Sequence, residues 1–410
     1  MEGRYDRVAV IKRESFGSLL FYYHSEYSKN SLKEYIQTLT YPYFLLHFQY
    51  FSLNLSTKKR RIIMAKDSFP IRLHEARLMM RLSMEQLAKL TGGIITKQSI
   101  SRYEKGIMHP KRDAQRALAQ ALNISEEYFK EDNLKIDMPM LRTASNGRLN
   151  DEQLKSIEAK LAFWSEQYLA KEREANYHTS FENPIKGITV LSMEDAIQAA
   201  DCLRQQWHCG DGPIVSILRL LERKGIKILS AELPDGVLGL STWADGQHPL
   251  IILDMRLEKT STEQIRFTAA HELAHLLLTL PEGAELGVEK RCHKFASFFL
   301  FPRQTFIEEM GGEHREELTL DEMIDLKEQY GVSIAAQVHE AWDLHMISRE
   351  HYDWWYDERI HKNKKEIGWG HYPYPETIGR EKRLNSIMNH IKNKEDCGGY
   401  EQHTSTHHRA

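Results

Sequence analysis

Cysteine is scarce in this chain. Cys202, Cys209, Cys292 and Cys397 are the four copies in 410 residues, with no C-x-x-C pair. That excludes a disulfide framework and points to a reducing compartment, so a cytoplasmic location is expected. Long apolar runs are also missing. The longest, 41-YPYFLLHFQYFSL-53, is interrupted by His47 and Gln49 and is too short to span a bilayer, so no membrane partner is expected. The N-terminus lacks the basic, apolar, small-residue order of a signal peptide. Charge of one sign is absent too: the formal net charge is −3 with 28% charged residues, so partners must be read segment by segment.

What is present divides unevenly. Residues 1–63 hold eight of the 18 tyrosines and no tryptophan. They end in the basic run 58-KKRR-61, just before Met64. They read either as sequence upstream of a natural start at Met64 or as a poorly patterned N-terminal extension, with a weak amphipathic helix at 31–39. Residues 69–131 read as a set of short helices. Residues 132–192 read as a linker and a connecting helix, the helix covering 151–175. Residues 193–345 mix helices with candidate strands 226-IKILSAEL-233 and 249-PLIILD-254. An aromatic-rich extension at 346–380 is expected to pack on the preceding domain. A loose tail is expected at 381–410, where His403, His407, His408 and Cys397 lack metal-site spacing.

Within 69–131, Ser83 stands where an N-cap belongs, before MEQLAKL. Gly92 and Gly93 end that helix, and Thr96 can cap the next, KQSISRYEK. Ile100 and Tyr103, three apart, can face a core. Lys97, Gln98, Ser99, Ser101 and Arg102 then lie outward, where Gln98 can pair with adenine and Lys97 or Arg102 with guanine or phosphate. Residues 64–131 carry 12 basic and 8 acidic residues, a balance of +4 against the negative whole. Arg77, SMEQLAKL, I-S-R-Y-E-K-G, Pro110 and ALNISEEYF together resemble the Xre (Cro/cI-like) helix-turn-helix family. That resemblance implies an all-α lambda-repressor-like domain that binds a double-stranded DNA operator, commonly as a homodimer. A helical bundle used only for dimerisation is the blander alternative.

The stretch 266-RFTAAHELAHLLL-278 carries H-E-x-x-H. At 3.6 residues per turn, His271 and His275 share one helix face and can hold one Zn²⁺, with Glu272 beside them as general base. Ser261 and Gln264 can form a capping box at the start of this helix. A third ligand is needed, and Glu289 in 289-EKRCHKFASFFLFP-302 is the candidate. His293, one turn later, either hydrogen-bonds to a ligand or is itself an alternative ligand. Phe295, Phe298 and Phe299 can pack the second helix on the first.

RFTAAHELAHLLL followed by E-x-x-C-H-x-F-A-x-x-x-L-F-P resembles the ImmA/IrrE family of zinc metallopeptidases. The resemblance implies an α+β zincin-like domain in a multidomain chain, His271, His275 and Glu289 as metal ligands, and Glu272 as catalytic base. It also implies cleavage or relief of a repressor protein in a stress or mobile-element response. Cys292 and His293 depart from the family's usual Ala and Asn or Asp. In zinc peptidases of this kind the strand before the helix, here PLIILD, often pairs with an extended substrate. The competing readings are a non-enzymatic repressor or antitoxin whose zincin-like part senses a ligand or binds a partner protein, and self-cleavage in the linker at 132–150.

Overall fold

The computed structural model describes residues 67–130, 134–138, 140, 149–256, 258, 260–280, 287–312 and 314–401. The expectations placed on residues 1–63, Met64, His403, His407 and His408, and on the side chain of Cys397, lie outside the described residues.

Helix α1 (Phe69–Met79) starts with proline in its first turn, where a missing N–H breaks no helical bond. Helix α2 (Met84–Leu90) opens on a reciprocal capping box between Ser83 and Gln86. Gly92 and Gly93, both at positive φ, turn the chain. Thr96 then caps α3 (Lys97–Glu104) by accepting from Ser99 N. Helix α4 (Arg112–Leu122) ends on Asn123 in the left-handed region, and a 3₁₀ turn follows at Glu127–Lys130. Leu73, Leu87, Ile100, Leu118 and Phe129 are buried at the centre of this bundle.

Helix α5 (Asp151–Glu174) serves two cores. Toward α1 it presents Glu166, paired with fully buried Arg72 at 2.9 Å, and Ser156, whose Oγ donates to Leu78 O at 3.1 Å. Toward the sheet it presents Leu154, Leu161 and Ala162. This double duty explains why a charge-laced helix of 24 residues is stable.

Helices α6 (Met193–Trp207) and α7 (Ile217–Arg223) lead into a three-stranded sheet. Its strands are β1 (Lys227–Ser230), β2 (Gly239–Ala244) and β3 (His248–Leu253), in the order β1-β3-β2. β1 runs parallel to β3 with Lys227 opposite Leu250, and β2 runs antiparallel with Leu240 opposite Ile252. Side chains alternate as the pleat requires. Leu240, Leu250 and Ile252 face the α5 side, while Ile228, Ile251 and Leu253 face the larger core.

The strand expected at 226–233 is thus shorter, and β2 appears where GLSTWA offers no isoleucine or leucine run. Ser241 and Thr242 are fully buried there because both hydroxyls are hydrogen-bonded, to Glu272 and to Asp137 O. β3 is the central strand, paired on both sides, so PLIILD cannot take a further strand. The edge on the helix-turn-helix-linker side is β2.

Against the larger core pack α8 (Thr262–Leu277) and α9 (Val288–Leu300), joined by Phe295, Phe298 and Phe299. Helices α10 (Arg303–Glu309), α11 (Leu320–Tyr330), α12 (Ile334–Asp343) and α13 (Arg349–Trp354) complete this body, followed by a π-helical turn at Trp355–Ile360. The aromatic-rich segment is part of the packing: Trp355 and Trp369 are buried in the larger core, while Trp354 stays exposed. Glu376 straps this segment down by accepting from Arg266 at 2.6 Å and from Ile217 N at 3.0 Å. The loose tail expected from 381 is corrected as far as residue 401. Arg380–Glu401 forms α14, because Leu384 and Met388, one turn apart, are buried and Lys171 of α5 donates to Asn385 at 2.7 Å. Among the described residues no helix is long and apolar enough to cross a membrane.

Candidate metal centre and candidate DNA-reading helix

Helix α8 brings His271, Glu272 and His275 to one side of its middle. Ser261 caps it by accepting from Gln264 N at 3.2 Å, the serine half of the expected box. Its neighbour α9 brings Glu289 and His293, one turn apart. His271 Nε2 and His275 Nε2 are 3.1 Å apart. The Glu289 carboxylate lies 3.2 Å from His271 Nε2 and 3.5 Å from His275 Nε2. Two ligands held tetrahedrally at about 2.0–2.1 Å from an ion lie about 3.3 Å from each other. The two imidazole nitrogens and the Glu289 carboxylate, with Oε2 toward His271 and Oε1 toward His275, are therefore spaced as ligands of one small divalent cation are.

His293 belongs to the same cluster. Ligand atoms of His271, Glu289 and His293 lie within 4.8 Å of one another, and the His293 ring centroid is 4.6 Å from that of His271. His293 is exposed at the rim, with the Phe267 ring 5.6 Å away.

The environment tunes each group. Burial, helped by His271, pushes the His275 imidazole down to about 4, so the ring stays neutral and available as a ligand. The hydrogen bond from His271 holds the Glu289 carboxyl below its ordinary value, so it stays an anion. Burial pushes Glu272 up to about 7, against the lowering effects of His271 and of the Ser241 hydroxyl. In the metal-free protein that places its proton exchange near neutrality. Ser241 Oγ donates to Glu272 Oε2 at 2.6 Å. Gly239 lies under the same side chain: a Cβ there would meet Thr268 Cγ2 at 2.5 Å and Glu272 Cγ at 3.1 Å. Cys292 is buried, kept as a thiol by that burial, with Sγ 3.8 Å from His275 Nδ1. That sulfur is the polar atom facing the ring nitrogen opposite the candidate ligand atom of His275. The roles of Ser241 and Gly239 were not legible beforehand, since both lie about thirty positions from Glu272 in a strand without a motif.

The structure places the DNA-reading candidates together on α3. Lys97, Gln98 and Arg102 are exposed, Ser99 and Ser101 half-buried, and Ile100 and Tyr103 buried. The Thr96 and Ser99 hydroxyls are 3.0 Å apart, so Ser99 is partly engaged in capping. Missed from sequence is the anchor of this helix: Arg77 of α1 donates to both Glu104 oxygens, at 2.6 and 2.8 Å, and to Leu82 O. Burial alone would raise the Glu104 carboxyl, but the Arg77 and His74 bonds outweigh it and hold it low.

Residues 73–129 match the helix-turn-helix family model. Residues 221–341 match the model of the IrrE N-terminal-like domain, a peptidase family. No curated protein matches the chain. The first match covers the bundle that presents α3, and the second covers the sheet, α8, α9 and the converging donors. The chain thus joins an Xre-type, lambda-repressor-like helix-turn-helix domain to an IrrE/ImmA-like domain of a metallopeptidase family.

Proposed function

We propose that this protein is a transcriptional regulator that binds a double-stranded operator through α3 and hydrolyses a peptide bond in a repressor or other protein substrate at the α8–α9 site. Zn²⁺ is the proposed metal, because two imidazoles of one H-E-x-x-H helix plus one glutamate carboxylate are the ligand set of catalytic zinc in peptidases. The observation that carries the reading is the convergence of His271, His275 and Glu289 within 3.5 Å, with Glu272 buried beside them. Three protein ligands leave a position open, the pattern of catalytic rather than structural sites.

A bound zinc ion supplies Lewis-acid polarisation of the scissile carbonyl and acidifies water. The chain's own residues do the rest. His271, His275 and Glu289 hold the ion. Glu272 takes the proton of the attacking water and returns it to the leaving amine. Ser241 fixes which carboxylate oxygen is free, because its hydroxyl occupies Oε2. The edge strand β2, lying against α8, is the surface on which an extended peptide can add a strand. A helix-turn-helix of this type favours a homodimer reading two half-sites, in the cytoplasm. A stress or mobile-element response is the setting in which a regulator with its own peptidase would act.

Glu272→Gln in the full chain tests the reading. Metal content should stay the same while cleavage of a candidate repressor, followed by mass spectrometry, is lost. Cleavage that persists in the variant refutes Glu272 as base. Regulation that is indifferent to Glu272 favours the non-enzymatic sensor or antitoxin.

A further inference from the structure

The segment that leaves the helix-turn-helix domain reaches the sheet at the edge of β2. Ile136 forms an antiparallel bridge with Ala244. Asp137 N donates to Trp243 O at 2.9 Å, and Asp245 N donates to Lys135 O at 2.8 Å. The Thr242 hydroxyl adds a bond to Asp137 O at 2.9 Å. Ile136 is 7% exposed and anchors the contact in the core beneath α5. Trp243 O and Asp245 N point away from β3. By the two-residue alternation of a strand, the backbone groups of Ser241 and Gly239 point the same way.

The register gives this contact a direction. With residue 136 opposite 244, continued pairing would set 138 opposite 242 and 140 opposite 240. The segment is therefore aimed at the part of β2 where Ser241 and Gly239 meet Glu272. It stops short: Asp137 Oδ1 accepts from Met140 N at 3.2 Å, which turns the chain off the edge at Met138.

We propose that Leu134–Met138 is an intramolecular occupant of the 243–245 end of the β2 edge, so that an extended peptide aligned beside Glu272 must displace it to pair along the whole strand. This rests on the reading above that β2 receives the substrate. The hold is shared with the DNA-binding domain. Glu166 of α5 accepts from Leu134 N at 2.9 Å and from Arg72 of α1 at 2.9 Å. One carboxylate ties both the linker and the helix-turn-helix bundle to the same helix, so loosening the bundle weakens the linker's seat.

The test uses full-length protein and a fluorescent synthetic peptide of residues 132–140, read by anisotropy, with hydrogen exchange followed at the Asp245 amide. Wild type is compared with Ile136→Asp, which removes the apolar anchor, and with Glu166→Ala, which touches neither strand nor the metal centre. Both variants should expose the Asp245 amide and bind the peptide tighter, by about tenfold in Glu166→Ala, the factor expected when a competing strand loses one charge-assisted hydrogen bond. Equal peptide affinity in a variant whose Asp245 amide has become exposed overturns the proposal. So does an Asp245 amide that stays protected in both variants, because the segment would then not depend on the contacts assigned to it. Should Ile136→Asp fail to fold, Glu166→Ala alone decides. Hydrolysis is not read, so a failed peptidase assay leaves this result intact.

Discussion

Removing one hydroxyl, in Ser241→Ala, should move the proton affinity of Glu272 by a measurable and signed amount. Ser241 is fully buried, so alanine replaces it with little change in shape. The lost interaction is the 2.6 Å bond from Ser241 Oγ to Glu272 Oε2. A hydrogen bond to a charged group contributes about 1.5–3 kcal/mol, and about 1.4 kcal/mol corresponds to one pKa unit. The protonated carboxyl can still accept a weaker version of the same bond, so the difference between the two forms is about one unit. The bond favours the ionised form; its loss therefore raises the value from about 7, and at neutral pH Glu272 becomes mostly protonated. Infrared titration of the metal-free protein reads the buried carboxyl directly, with Glu272→Gln as the blank. If proteolysis is assayed as well, the acidic limb of kcat/KM should move in the same direction. A carboxyl midpoint that stays put, or falls, would refute the assignment of Ser241 as the group that steadies the base.

Three further outcomes follow from the same geometry. Glu289→Ala should take zinc from about one per chain to well below that in elemental analysis of the purified protein, since two imidazoles alone leave the ligand set incomplete; full retention would move the third-ligand role to His293. Gly239→Ala should cost about 1–3 kcal/mol in thermal unfolding through the Cβ clash with Thr268, and Thr268→Ala in the same chain should recover most of it. Glu104→Ala leaves Arg77 buried without its main partner and should lower hydrogen-exchange protection in α3 by about 3 kcal/mol; unchanged protection would mean that the helix angle does not depend on this pair.

The local elements were legible because their causes are local. Ser83, Thr96 and Ser261 announce helix starts through bonds three residues long, and Ile100 and Tyr103 mark an inward face by spacing alone. The H-E-x-x-H helix declares its own geometry, and Glu289 followed from a second helix with its own pattern. β2 was not legible. Its Ser241 and Thr242 tolerate burial through partners 31 and 105 positions away. The helix at 380–401 was in fact legible: Leu384, Ile387, Met388 and Ile391 recur at helical spacing, but the charged residues and the Gly-, His- and Thr-rich end around them hide the stripe.

By itself the sequence determined two domains, two helices that face outward or inward by periodicity, and a pair of candidate metal ligands, His271 and His275, whose spacing follows from the pitch of one helix. Tertiary structure alone decided which strand forms the edge, that a serine on it bonds to Glu272, that a single glutamate joins the linker to the helix-turn-helix bundle, and that the linker lies on that edge. The reason is one of range. Helix pitch and caps act within a few residues, whereas edge pairing and shared carboxylates depend on chain segments that only the folded core brings together.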